Sequence, residues 1–130
     1  MSYYINKTMQ GISFEDGIKK ITESLKNEGS GILTEIDLKS TFKQKLDVDF
    51  YNYKILGACN PHFAFKALAA EDKIGTMLPC NIIVQEKEKG IIEISAVDPM
   101  ASMQAVENES LGALAQEVRI KLQNCIESIS

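Results

Sequence analysis

The chain has 130 residues, of which 45% are hydrophobic and 25% charged, so we expect a single domain over residues 1–130 with one core. Fourteen basic and eighteen acidic residues give a net charge of -4, which argues against nucleic-acid and anionic-membrane binding. The longest uncharged stretch, residues 74–85, is shorter than the about 20 residues of a membrane span. Three cysteines and no export-type amino terminus predict reduced thiols in the cytoplasm.

The first half of the chain alternates predicted strands and helices. Residues 3–9 are rich in aromatic and β-branched residues, which predicts an edge strand. Ser13 is typical of a helix N-cap, with Asp16 as its capping-box partner, and the glycines at 29 and 31 end that helix. Residues 32–36 predict a second strand, and residues 38–46 a short amphipathic helix or irregular cover. The first helix presents one apolar face, formed by Phe14, Ile18, Ile21 and Leu25.

The second half predicts three strands and two helices. Residues 53–59 form a strand, and Asn60-Pro61 is a typical start for a helix that runs to about residue 70. Residues 77–86 and 91–97 predict a hairpin joined by the charged link 87–90 and ended by Asp98-Pro99. The order β-α-β-(α)-β-α-β-β-α predicts an α+β fold. The closing helix carries one apolar stripe: Leu111, Leu114, Ala115, Val118, Leu122, Cys125, Ile126 and Ile129.

Most strong catalytic motifs are absent from the sequence. It contains no P-loop, dinucleotide fingerprint, paired CxxC, HExxH, GxSxG or EF-hand pattern. His62 is the one histidine, so one subunit cannot form a two-histidine metal site. The sequence therefore predicts no metal site and indicates no particular cofactor.

Two short segments combine cysteine with asparagine and proline: residues 59–62 (CNPH) and 78–81 (LPCN). Cys59 lies between a predicted strand and a predicted helix, where free amides and the helix dipole favour a thiolate or a bound anion. Pro79 beside Cys80 removes a ladder donor, which indicates a bulge or bend that re-aims side chains. These segments predict a site.

Each candidate also has a structural interpretation. Free cysteines are usually buried, so Cys59 and Cys80 are also candidates for core positions, and Cys125 is read as core. Asn60 is first a helix cap, and His62 is equally read as a neutral, partly exposed side chain. Asp98 is either a turn residue before Pro99 or a carboxylate that lines the same cavity. The methionines at 77, 100 and 103 are read as packing or interface residues.

Residues 53–61 (YKILGACNP), 78–81 (LPCN) and 97–99 (VDP) together resemble the Domain of Unknown Function 302 family, and the resemblance covers nearly the whole chain. One departure is Ser30, which stands between two glycines where relatives commonly carry an aromatic or aliphatic residue. The resemblance implies a TATA-binding-protein-like fold of β-α-β(4)-α type, a curved antiparallel sheet with helices packed on one face, commonly paired as homodimers. It implies no activity or cofactor. The matching residues are Cys59, Asn60, Pro61, Pro79, Cys80, Asn81, Asp98 and Pro99.

Three functional hypotheses follow. The first is a small-ligand-binding or thiol-dependent module, with Cys59 as the reactive thiolate and Cys80 as its resolving partner. In that hypothesis the polar groups of the ligand contact Asn60, His62, Asn81 and Asp98. The second is a non-catalytic interaction or assembly protein in which both segments only shape turns and pack the core. The third is an enzyme that uses His62 as a general base.

Overall fold

Five strands form one antiparallel sheet in the computed structural model, which describes residues 2–129. The strands are β1 (Tyr4–Gln10), β2 (Gly31–Asp37), β3 (Asn52–Cys59), β4 (Cys80–Glu88) and β5 (Ile91–Val97). Their spatial order is β1-β5-β4-β3-β2, and every neighbouring pair is antiparallel. The hairpin β4–β5 therefore lies inside the sheet, while β1 and β2 form its edges.

Two long helices, α1 (Phe14–Asn27) and α5 (Glu109–Glu127), cover one face of the sheet. Shorter helices are α2 (Leu38–Leu46), α3 (Pro61–Ala70) and α4 (Pro99–Ser102), and a 3-10 turn spans Asp72–Met77. The arrangement confirms the predicted α+β class. Within residues 2–129, no helix is both long and apolar enough to cross a membrane.

Strand alternation separates the two faces of the sheet. On β5, the buried residues Ile92, Ile94 and Ala96 pack in the main core with the helices. Glu93 and Ser95 lie between them and therefore belong to the opposite face, which we call the open face. A smaller apolar cluster joins α3, the 3-10 turn and α5 through Ala67, Ile74 and Leu111. The sheet thus separates the open face from the main core and its helices.

Local sequence signals explain most element boundaries. The Ser13 hydroxyl accepts the Asp16 amide at 3.0 Å, as expected of an N-cap. The reciprocal capping-box bond, in which the Ser13 amide would donate to the Asp16 carboxylate, is absent from the part of the chain that the structure describes. Gly29 has a φ of 82° directly after α1, and the Ser30 amide donates to Leu25 at 2.8 Å, which closes the last turn. Gly31 already belongs to β2.

One segment with two predicted alternatives is settled by the structure, and both ends of one strand differ from the prediction. The segment 38–46 is helical, capped by Asp37. The strand predicted from residue 77 begins at Cys80, because residues 72–77 form the 3-10 turn and Pro79 has no amide hydrogen to donate to a ladder. The same strand runs to Glu88 through a register shift after Gln85, so the turn is shorter than the predicted link 87–90.

Candidate functional site

A cavity of about 70 Å³ lies where the ends of β3 and β4 meet α3 and α5. Its walls are mostly apolar, and the side chains of α3 that line it include Phe63, Ala64 and Ala67. All three cysteines of the chain, Cys59, Cys80 and Cys125, also line it. The ends of two strands, the helices α3 and α5, and Pro99 of α4 thus line one mostly apolar space that contains the three thiols.

Cys59 and Asn60 lie at the strand-to-helix boundary, as the sequence predicts. Cys59 is half-buried and ends β3. The Asn60 side chain accepts the amides of His62 at 3.1 Å and Phe63 at 3.5 Å, which confirms that Asn60 caps α3. Because the cap already engages these amides, an anion at this point would gain the helix dipole rather than those two donors.

Cys80 begins β4 and is half-buried. Burial raises the pKa of the Cys80 thiol above its ordinary value, and the neighbouring Cys59 raises it further. Cys125 is buried, and burial raises the pKa of its thiol too. The neutral thiol is therefore the favoured form at Cys80 and Cys125 near neutral pH.

We expect Cys80 to react with iodoacetamide only at higher pH than an ordinary thiol, because the thiolate is the nucleophile. The pH at which its alkylation rate is half-maximal should lie above about 8.5, the usual pKa of a thiol. Peptide mass spectrometry over a pH series measures the rate at each cysteine. In a Cys59→Ser control the half-maximal pH of Cys80 should fall slightly, since one cause of the raised pKa is removed. A half-maximal pH below that of an ordinary thiol would contradict the burial argument.

Lys121 and Ser30 are lining residues that the sequence did not single out as a site. Within residues 2–129, Lys121 is the one charged side chain on this cavity wall. Its Nζ lies 3.7 Å from Glu28 Oε2 and 6.0 Å from the centre of the Phe63 ring. Residue 121 lies three after Val118 and four before Cys125, beside the apolar stripe of α5, but this spacing alone does not show that a cavity lies there.

Three predicted site residues lie outside this cavity. His62 is exposed in the first turn of α3 and is not part of the wall. Asn81 is exposed and lines a second cavity, on the open face. Asp98 caps α4 through the Met100 amide at 3.0 Å and binds Arg119 Nε at 3.1 Å. The cavity therefore brings together Cys59, Asn60 and Cys80, and the functional role of all six residues stays a prediction.

The wall of this cavity is mostly apolar. Thiol groups and apolar side chains line most of the space, and one ammonium group lies on its wall. Throughout residues 2–129 there is no group of three or more histidine, cysteine or acidic residues that could hold a metal ion.

Comparisons with known proteins give a family and a fold. The model of the family described as Domain of unknown function DUF302 matches residues 5–129. A crystal structure of an uncharacterized conserved DUF302 protein from Bacillus stearothermophilus superposes with a TM-score of 0.90. The two chains are 24% identical, and the alignment covers 100% of each. The search of curated proteins finds no significant match.

Proposed function

The chain belongs to the Domain of Unknown Function 302 family, and from the geometry of its thiol-lined cavity we propose that it binds a small amphipathic acid. The apolar tail of the ligand enters the space between the sheet, α3 and α5. The carboxylate remains at the edge, beside Lys121. The single observation that carries the proposal is a mostly apolar cavity with one cationic side chain on its wall.

The size of the cavity limits the tail. Its volume of about 70 Å³ is roughly half that of a 150 Å³ engineered cavity that accepts benzene. A short straight alkyl chain suits such a space better than a ring. Burial of a methylene group contributes about 0.8 kcal/mol, so about three buried carbons of a longer tail give roughly 2.4 kcal/mol. Together with about 1 kcal/mol from a partly exposed charge pair, this corresponds to a Kd of a few millimolar.

The charge of the cavity edge favours an anionic head group. The Lys121 side chain is 39% exposed, and its nearest carboxylate partner, Glu28, is 3.7 Å away. A ligand carboxylate would share this ammonium group with Glu28. The amino-terminal end of α3, capped by Asn60, adds the positive end of its dipole near Lys121, whose Nζ lies 6.0 Å from the ring of Phe63 in the first turn of that helix.

In this proposal the cysteines only line the cavity. The second candidate function is a thiol-dependent reaction at the same cavity. Cys59 lies close enough to Cys80 to influence its pKa, which supports a sulfur pair at the cavity. The raised pKa of Cys80 favours a neutral wall group over an attacking thiolate. The cytoplasmic location expected from reduced thiols remains a prediction, as does the alternative of a purely structural interaction protein.

We expect Ala64→Leu to abolish ligand binding, because Ala64 lines the cavity and a leucine there fills it. Isothermal titration with hexanoate is the measurement, with at least a tenfold loss of affinity expected. Ala69→Leu is the matched control: Ala69 lies on the same helix but is exposed and lines no wall. Hexanoate that binds equally to both variants, or to neither variant nor the parent chain, would overturn the proposal.

We expect Lys121→Gln to weaken hexanoate binding about fivefold, since a partly exposed charge pair contributes about 1 kcal/mol. Hexanol, which has the same tail and no charge, should bind the parent chain and the variant equally. Titration of both probes against both proteins separates the head-group contact from tail burial. An equal loss for both probes would show that Lys121 acts by packing alone.

A homodimer is the assembly that we propose for this chain. The support is the exposed apolar side of α3, where Phe65 is 76% and Leu68 44% exposed, three residues apart on one helix. A second copy would cover this side. We expect light scattering to show a dimer for the parent chain and a monomer for Phe65→Ser, while Ile120→Ser, at an exposed position of α5, stays dimeric. A parent chain that is monomeric would contradict the proposal.

A further inference from the structure

The open face of the sheet carries a second and larger cavity of about 430 Å³. Its lining residues on β4 alternate along the strand, as those of one sheet face must: Asn81, Ile83, Gln85 and Lys87. On β5 they are Glu93, Ser95 and Val97, together with Ala96 between the last two. The sheet separates this cavity from the thiol-lined one. Its volume lies within the roughly 300–1,000 Å³ usual for small-molecule sites.

The floor of this cavity is polar although it is buried. Gln85 is 8% and Ser95 5% exposed, which is unusual for uncharged polar residues on an uncovered sheet face. Gln85 Nε2 donates to the Tyr51 hydroxyl at 3.3 Å, and no other side-chain hydrogen bond of Gln85 occurs among residues 2–129. Ser95 Oγ accepts Asn6 Nδ2 at 2.7 Å, which leaves its hydroxyl proton to donate. The floor therefore offers both an acceptor and a donor.

Aromatic rings form the walls. Tyr3, Tyr4 and Tyr53 line the cavity, with Tyr3 and Tyr4 edge to face at a centroid distance of 5.1 Å. Tyr51 contacts Tyr53 at 6.0 Å between ring centres and continues the wall beyond it. Burial raises the pKa of the Tyr53 hydroxyl, and nearby Tyr51 and Tyr3 raise it further, so this hydroxyl stays a neutral donor. All four tyrosines of the chain thus lie at or beside this cavity.

The charges on the rim cancel. Lys87 and Glu93 are the charged lining residues, and they lie 3.8 Å apart. Glu93 Oε2 also accepts Asn6 Nδ2 at 2.8 Å, and the carboxylate keeps acceptor sites for a further hydroxyl donor. A ligand gains no net charge attraction here. The ligand that suits this cavity is therefore a neutral molecule with hydroxyl groups on its edges and an apolar face that contacts the tyrosine rings.

We propose that the open face binds a neutral saccharide of one or two rings. Aromatic rings contact the C–H faces of such a sugar, and amide, hydroxyl and carboxylate groups bind its hydroxyl edges. A second copy of the chain fits less well, because two identical concave faces leave an empty space between them. Single-stranded nucleic acid would also stack on tyrosines, but its phosphates need cations that this rim and a net charge of -4 do not supply.

Tyrosine fluorescence tests the proposal directly, because the chain has no tryptophan and every tyrosine lies at or beside this cavity. The probes are maltose, cellobiose and lactose, with glucuronate as an anionic comparison and uridine as a nucleoside comparison. We expect a saturable fluorescence change with at least one disaccharide, with a Kd of about 1 mM. Titration calorimetry with the same probe measures the variants: Tyr4→Ala removes an exposed wall and should lower affinity at least tenfold, while Ile120→Ala on α5 should not change it.

Each of the following outcomes would contradict the proposal that the open face binds a saccharide. No saturable change with any disaccharide overturns the proposal, as does equal or tighter binding of glucuronate or uridine, or full affinity in Tyr4→Ala. A parent dimer that Tyr4→Ala converts to a monomer would show that a second copy occupies this face. The Ala64→Leu variant should bind the disaccharide normally, so failure of the hexanoate site and failure of this site are distinguished in one set of proteins.

Discussion

Replacement of Gly57 by alanine is expected to destabilise the fold by about 2–3 kcal/mol, the upper part of the range typical of overpacked interiors. A Cβ at this position on β3 would fall on Thr34 Oγ1 and lie 2.6 Å from Pro79 Cγ. Thr34 is exposed and can turn its hydroxyl away, whereas the proline ring cannot rotate. The strain therefore reaches Pro79 and the start of β4, where Cys80 lines the apolar cavity.

Denaturant unfolding of Gly57→Ala measures the effect, and Gly31→Ala is its matched control. Gly31 lies on the adjacent strand β2 and pairs with Cys59, and a Cβ added there would meet no other atom within 4 Å. We expect the control to retain the stability of the parent chain or to gain slightly, because alanine loses less backbone entropy on folding. A Gly57→Ala protein as stable as the control would show that Pro79 gives way freely.

The sequence predicts local structure well wherever one residue type has a strong local reason to occur. Asn60-Pro61 predicts the cap and first turn of α3, and Ser13 predicts the cap of α1. The apolar stripe of α5 predicts which of its residues are buried, including Leu122 and Ile126. These signals need no partner from elsewhere in the chain, because their physical causes lie within one or two turns.

The candidate site was predicted less completely, because a site depends on which surfaces meet. Cys80 and Asn81 are neighbours in sequence, yet strand alternation places them on opposite faces, in two different cavities. His62 is two residues from Asn60, and the helical turn carries it away from the wall into solvent. Lys121 reaches the cavity only because α3 packs against α5, a contact that no local pattern contains.

The open face shows the same limit. The alternation of Asn81, Ile83, Gln85 and Lys87 along β4 is visible in the sequence. The alternation does not predict the order of the strands in the sheet. In that order β5 lies between β4 and β1, which brings the amino-terminal tyrosines to the same surface as Tyr53. Long-range pairing of this kind, which joins the first strand of the chain to the last, is set by the whole sheet.

Replacement of Asp98 by alanine is expected to destabilise the chain by about 2 kcal/mol and to leave ligand binding unchanged. Asp98 Oδ1 caps α4 through the Met100 amide, and a lost cap costs about 1 kcal/mol. Oδ2 binds Arg119 Nε at 3.1 Å, and this carboxylate is only 14% exposed. Because Arg119 is 35% exposed and water can solvate it, we assign the lost ion pair no more than about 1 kcal/mol.

Asp98→Asn separates the two contributions, since asparagine caps a helix as well as aspartate but carries no charge. The expected order of unfolding free energies is parent, then Asp98→Asn, then Asp98→Ala, with Arg119→Met close to Asp98→Asn. Thermal melts and hexanoate titrations are measured on the same samples. If Asp98→Ala remained folded and lost tenfold in hexanoate affinity while Arg119→Met did not, the carboxylate would act on the ligand itself. The geometry favours the opposite result, because both oxygens are engaged within the fold and neither lies on the cavity wall.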